Sequence, residues 1–221
     1  MGLRGSGNRP ATREQKRPQW VVGGATIITF VALLYLIELI DQLTATPGHS
    51  LDDNGIRPGT TDGLWGIIFA PLLHANWAHL MANTIPLLVL GFLMTLAGLS
   101  RFVWATAIIW IVGGFGTWVI GNWGSSCGPT DHIGASGLIF GYLTFLLVFG
   151  FFIRKLSHIV IGLVVFLLYG SVLLGAMPVL HQCGGVSWQG HLCGAIAGVL
   201  AAYMLSSPER KARAQKKALK S

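Results

Sequence analysis

Charge is the scarcest property of this 221-residue chain. Asp and Glu total 8 and Lys and Arg 15, so charged residues make up 10% of the sequence, where soluble domains carry about 25%. Hydrophobic residues reach 52%, with 30 glycines in addition. Polar groups are too few to cover the surface of a soluble globule. Intrinsic disorder is excluded too, because it needs few apolar residues and many charges. The seven histidines show no metal-ligand spacing such as H-E-x-x-H, so a metalloprotease is not indicated, and neither is any other metal or cofactor site.

The charges that are present are segregated. The formal net charge is +7. Five of the 15 bases lie in the first 17 residues (Arg4, Arg9, Arg13, Lys16, Arg17) and six in the last 12 (Arg210, Lys211, Arg213, Lys216, Lys217, Lys220). No basic face remains in the middle to bind a duplex, so nucleic acid is not a predicted partner.

Between these ends lie charge-free runs of 20, 38, 29, 22 and 53 residues, bounded by Arg17, Glu38, Asp62, Arg101, Asp131, Arg154, Lys155 and Glu209. A bilayer helix needs about 20 apolar residues. Pro178 and the polar stretch from His181 to Gly185 divide the longest run in two. Six spans are therefore predicted, near Trp20–Leu39, His79–Leu99, Phe102–Ile120, Ser136–Ile153, Ile159–Met177 and Trp188–Leu205. Leu64–Leu73 is apolar but short, and reads as an interfacial or re-entrant piece. The first span lacks the small-residue cleavage site of a signal peptide, and no transit peptide is evident. The predicted class is an all-α polytopic membrane protein embedded in the lipid bilayer. Its six-span domain covers residues 20–205, between basic tails at 1–19 and 206–221.

With six spans both termini share one side. The loops on that side carry 14 of the 15 bases, and the opposite loops only Arg57. The positive-inside rule then predicts cytoplasmic termini.

In that topology spans two, four and six run from the outside inward, and each carries polar residues near its outer start. Span two has His79 and Asn83, four apart and so on one helix face. Span four begins with Ser136 inside Gly134-Ala135-Ser136-Gly137, and span six has His191. Strongly polar groups in a span are costly and point to function. A free hydroxyl is a weak nucleophile without a base. Neutral His191 can be that base. No carboxylate lies in a span at this level, so the pattern is a Ser–His dyad whose imidazole is oriented by packing. Gly137 and Gly141, facing Gly190, Gly194 and Gly198, would let the two helices approach closely. Asn83, His79 and the Ser136 backbone N–H could stabilise an oxyanion. The small residues before Ser136 could expose further amides to a substrate.

In these residues the sequence resembles the rhomboid family of intramembrane serine proteases. The shared features are Gly134-Ala135-Ser136-Gly137, His191-Leu192-Cys193-Gly194 followed by Gly198, the series His74, His79, Asn83, and six spans with cytoplasmic termini. The resemblance covers roughly residues 20–205. It implies that Ser136 attacks a peptide carbonyl with His191 as base, that Asn83 and His79 stabilise the oxyanion, and that the substrate is a single-span membrane protein cut near its outer boundary. Two positions depart from the family pattern. Trp65-Gly66 stands where many bacterial members have Trp-Arg, and Phe140 stands where some have a Tyr stacked on the catalytic histidine. A catalytically silent relative that binds membrane proteins for quality control would be expected to lack the serine or the histidine. A transporter would show internal repeats.

The remaining polar residues have plainer readings. His74 reads as a structural histidine bracing the first loop. His49, His132, His158 and His181 read as loop or interface residues. Cys193 reads as a small packing residue. Cys127 and Cys183 fall in outer loops where a disulfide is permitted, and one would tether the loop before His191 to the loop before Ser136. The basic tail reads as an orientation signal that could also meet anionic lipid heads.

Overall fold

The computed structural model describes residues 18–124, 130–177 and 185–219, which are helical apart from short connections and two isolated bridges. Six helices are long and apolar enough to cross a bilayer. Helix α1 (Gln19–Thr44) is followed by a broken helical segment over Asp62–Leu72, with α2 (Gly66–Phe69) at its centre. Then come α3 (Trp77–Leu96), α4 (Leu99–Ile120), α5 (Ser136–Ile153), α6 (Leu156–Tyr169), α7 (Trp188–Leu205) and α8 (Ser207–Ala218). A 3₁₀ turn at Gly170–Ala176 prolongs α6 to spanning length.

The fourth and sixth predicted spans coincide with α5 and α7. Helix α1 runs past the predicted end at Leu39 to Thr44 because Asp41 has local partners. Asp41 is 5% exposed and accepts from Ser50 Oγ at 3.0 Å and from the Leu51 N–H at 2.6 Å, so this charge does not force the helix to stop. Helix α3 begins at Trp77, where Asn76 caps it by accepting the His79 N–H at 2.9 Å. Leu64–Leu73 forms no seventh span. Ile67 and Ala70 are buried against Trp118, whereas Trp65, Ile68 and Phe69 are exposed.

Helix α5 is central, with every residue from Leu138 to Leu146 buried, and packs against α3, α4, α6 and α7. Outward faces of α1, α4 and α6 expose Ile28, Leu36, Trp104, Phe115, Leu163 and Leu167. An apolar exterior of this extent suits lipid rather than water. The basic tail is a docked helix. Within α8, Glu209 pairs with Arg101, and Arg213 donates to the carbonyls of Ile153 and Phe152, the latter at 2.7 Å. Those are among the free carbonyls at the C-terminus of α5.

Candidate active site

Helix α5 starts at Ser136 after a turn that only glycine enters easily. Gly134 has φ of +114°, a region that side-chain-bearing residues avoid. A Cβ at Gly134 would also lie 2.7 Å from Cε1 and Nε2 of His79 and 3.7 Å from Nδ2 of Asn83. The polar pair on α3 therefore converges on the residue two before Ser136. Asn83 is 6% exposed, and its Nδ2 is buried with no hydrogen-bond partner among the described residues. Buried donors are normally paired. An unpaired one facing the nucleophile loop is available to a charge that appears only during reaction.

The amides of that loop are already committed. The Gly134 N–H donates to the Ala70 carbonyl at 2.8 Å, and the Ala135 N–H to His74 Nε2 at 3.4 Å. The expectation that they are open to a substrate does not hold, because the loop uses them to hold its own shape. The Ser136 N–H differs, since the first N–H of a helix has no intrahelical acceptor. His74 is 1% exposed and meets the His79 ring edge-on at 5.1 Å. Burial pushes its imidazole down to about 4, and the His79 ring adds to the shift. It stays neutral and so keeps a lone pair for Ala135. His74 thus braces the nucleophile loop.

Helix α7 begins at the Ser187 cap, whose Oγ accepts the Gly190 N–H at 2.9 Å, and His191 follows. The His191 ring is held at two points. It stacks on Phe140 of α5, with centroids 4.0 Å and planes 13° apart, and its Nδ1 lies 3.0 Å from the Gly175 carbonyl oxygen. A carbonyl only accepts, so Nδ1 carries the proton and Nε2 keeps the lone pair. Phe140 thus makes the stack expected of it without a hydroxyl.

The glycines bring α5 and α7 into backbone contact. A Cβ on Gly194 would collide with the Gly137 carbonyl, and one on Gly198 with the Gly141 carbonyl. Ser136 is half-buried at the first position of α5. A cavity of about 50 Å³ adjoins it, with Gly137, Thr117, His132, Ser187 and Gly190 among its lining. Ser136 and His191 thus stand on two helices in backbone contact, with His79 and Asn83 against the loop before Ser136, and no hydrogen bond joins Ser136 to His191 among the described residues. Asp131 contributes nothing to it, being exposed and 3.6 Å from Arg57.

Three features of the site had little sequence signal. The Gly175 carbonyl is backbone, which sequence does not distinguish. His132, read as a loop or interface residue, is 7% exposed and hydrogen-bonded at both ring nitrogens. Gly66 stands where a Cβ would strike the Gly55 carbonyl and the Ile56 nitrogen, so no arginine fits there. Cys127, Cys183 and His181 lie outside the described residues. Cys193 is a free, buried thiol.

The Rhomboid domain family model matches residues 61–208. A protein of Mycobacterium tuberculosis described as uncharacterized is 79% identical over 95% of this chain and 86% of its own length. A Mycobacterium leprae protein, likewise described, is 69% identical over 96% and 83%. The Bacillus subtilis protein YdcA, a candidate rhomboid protease by its description, is 28% identical over 80% of this chain and 91% of its own length. With two-thirds of its length matched by that model and six helices able to span a bilayer, the chain is a multi-pass membrane protein and belongs to the rhomboid family.

Proposed function

We propose that this protein is an intramembrane serine endopeptidase working through a Ser136–His191 dyad. The observation that carries the reading is the hydrogen bond from His191 Nδ1 to the Gly175 carbonyl. It supplies what a triad carboxylate supplies elsewhere, a fixed ring and a fixed tautomer, and leaves Nε2 as the base. Ser136 Oγ attacks the substrate carbonyl carbon and its proton passes to His191 Nε2. The carbonyl oxygen becomes an oxyanion, stabilised by Asn83 Nδ2, the His79 ring and the Ser136 N–H. Collapse breaks the C–N bond, and Nε2 returns the proton to the leaving amine. A water, deprotonated by the same nitrogen, then hydrolyses the acyl-enzyme.

The catalytic unit is residues 20–205, with tails at 1–19 and 206–221. Charge asymmetry supports cytoplasmic termini, and the mycobacterial relatives support a bacterial plasma membrane. Ser136 then lies near the outer boundary, and the substrates are single-span membrane proteins cut there.

The test is labelling in membranes with an alkyl fluorophosphonate. Wild type is expected to label, and Ser136→Ala and His191→Ala are not. Equal labelling of all three overturns the reading.

A further inference from the structure

One side chain outside the proposed dyad and oxyanion donors joins the loop leading to Ser136 to the cap of the helix carrying His191. His132 lies four residues before Ser136 and is 7% exposed. Its backbone exchanges two hydrogen bonds of 3.0 Å with Ile56 of the first loop. Its Nδ1 is 2.6 Å from Ser187 Oγ, the atom that caps α7 through the Gly190 N–H at 2.9 Å. Its Nε2 is 2.9 Å from Thr130 Oγ1, which in turn donates to Asn122 Oδ1 just past the end of α4.

The chain of bonds has a direction. A neutral imidazole has one donor and one acceptor nitrogen. With Thr130 Oγ1 donating its proton to Asn122 Oδ1 at 3.1 Å, that hydroxyl accepts from Nε2, and Nδ1 accepts the Ser187 hydroxyl proton. The Ser187 oxygen keeps its lone pairs for the Gly190 N–H.

The dyad needs such a link. Glycines 137, 141, 194 and 198 set how closely α5 and α7 approach but offer no side chains to resist sliding along the helix axis. Thr144, donating to the Ala195 carbonyl at 2.8 Å, ties the pair farther along, and His132 ties the end of α7 next to His191. Sliding α7 shifts His191 relative to Ser136, and a displacement of about 1 Å costs on the order of 100-fold in rate. We infer that His132 is a positioning residue that sets the axial register of His191 against Ser136 through its bond to Ser187. This rests on the protease reading above.

Asn places an amide near the position of Nδ1, and Gln near that of Nε2. His132→Asn keeps the Ser187 link, and His132→Gln keeps only the Thr130 side. The experiment measures the maximal rate and half-saturating concentration of fluorophosphonate labelling in membranes, with Ser136→Ala as blank. His132→Asn is expected within about threefold of wild type. His132→Gln and Ser187→Ala are each expected to lose about 10-fold or more in maximal rate with half-saturation unchanged. The double variant is expected to be no slower than the slower single one. Should the Gln protein fail to fold, Ser187→Ala alone and combined with His132→Asn gives the same readout, the two being no slower than Ser187→Ala. Equal rates for Asn and Gln, or additive losses, overturn the inference while the protease reading stands. Wild type labelled no more than Ser136→Ala overturns both.

Discussion

His191 lies flat on Phe140, with ring centroids 4.0 Å apart and planes 13° apart, so one helix supplies both Ser136 and the surface that aims the proposed base. An aromatic pair of this kind contributes about 0.5–1.5 kcal/mol beyond its buried area. Phe140→Ala is expected to slow fluorophosphonate labelling by about 2–10-fold, the same energy expressed as a rate. Phe140→Tyr keeps the ring and is expected to stay near wild type. Labelling rates of the two variants check this.

Asn83 Nδ2 is buried and unpaired beside Gly134. If it serves the oxyanion, its loss acts in the transition state and not on binding. Asn83→Ala is expected to lower kcat by about 100- to 1,000-fold with KM little changed. Removing an unpaired donor does not weaken the fold, so the melting temperature is expected to hold or rise. Steady-state cleavage and thermal unfolding in detergent separate the two effects.

A single methyl on the α7 face is expected to part the two helices. A Cβ on Gly194 meets only the Gly137 backbone of α5, and one on Gly198 meets the Gly141 carbonyl as well as Thr144 Oγ1, so the backbones must separate. Gly194→Ala is expected to cost about 1–3 kcal/mol of stability and to reduce labelling about 100-fold by moving His191. Gly185, with no neighbour within 4 Å of an added Cβ among the described residues, is the control position for substitution tolerance, although its φ of +96° favours Asn over Ala there.

Arg213 closes the far end of α5 by donating to the Ile153 and Phe152 carbonyls. Arg213→Ala is expected to lower stability by about 1–2 kcal/mol. The rate per folded molecule should stay the same, because the substitution lies at the opposite end of α5 from Ser136. Thermal unfolding read beside active-site labelling tests this.

Two buried histidines make acid a destabilising condition. Burial pushes His74 and His132 each down to about 4, below the ordinary value near 6.5. Their neutral forms stabilise the fold fully above about 6.5, and this is lost as pH falls toward 4, with a slope of up to about 1.4 kcal/mol per pH unit for each. Asp52 runs the other way. Burial first, and then Asp41, Glu38 and Asp53, raise it to about 7, so it favours the fold at low pH and loses that contribution as pH rises through 7. Asp52→Asn is therefore expected to steepen the acid loss, and His132→Asn to make it shallower. Unfolding measured from pH 4 to 8 gives both slopes.

Span count and helix faces are one-dimensional properties of the molecule, legible in the linear order of its residues. Charge-free runs bounded by Arg17, Asp62, Arg101 and Arg154 count the spans, because the bilayer's cost for charge acts on each segment separately. The i, i+4 spacing of His79 and Asn83 and the glycines at 190, 194 and 198 assign helix faces for the same local reason. Features that need several segments to meet emerge only in the folded chain. Asp41 stays inside α1 because Ser50 and Leu51, in the following loop, satisfy it. The amides before Ser136 are closed off by Ala70 and His74. The orienter of His191 is a backbone carbonyl at Gly175, and every residue type carries that group. His132 became legible only when Ser187, 55 positions away, came within 2.6 Å of it. Hydropathy and periodicity are sums over neighbours in the chain, whereas a directed hydrogen bond depends on where the folded backbone brings its two atoms.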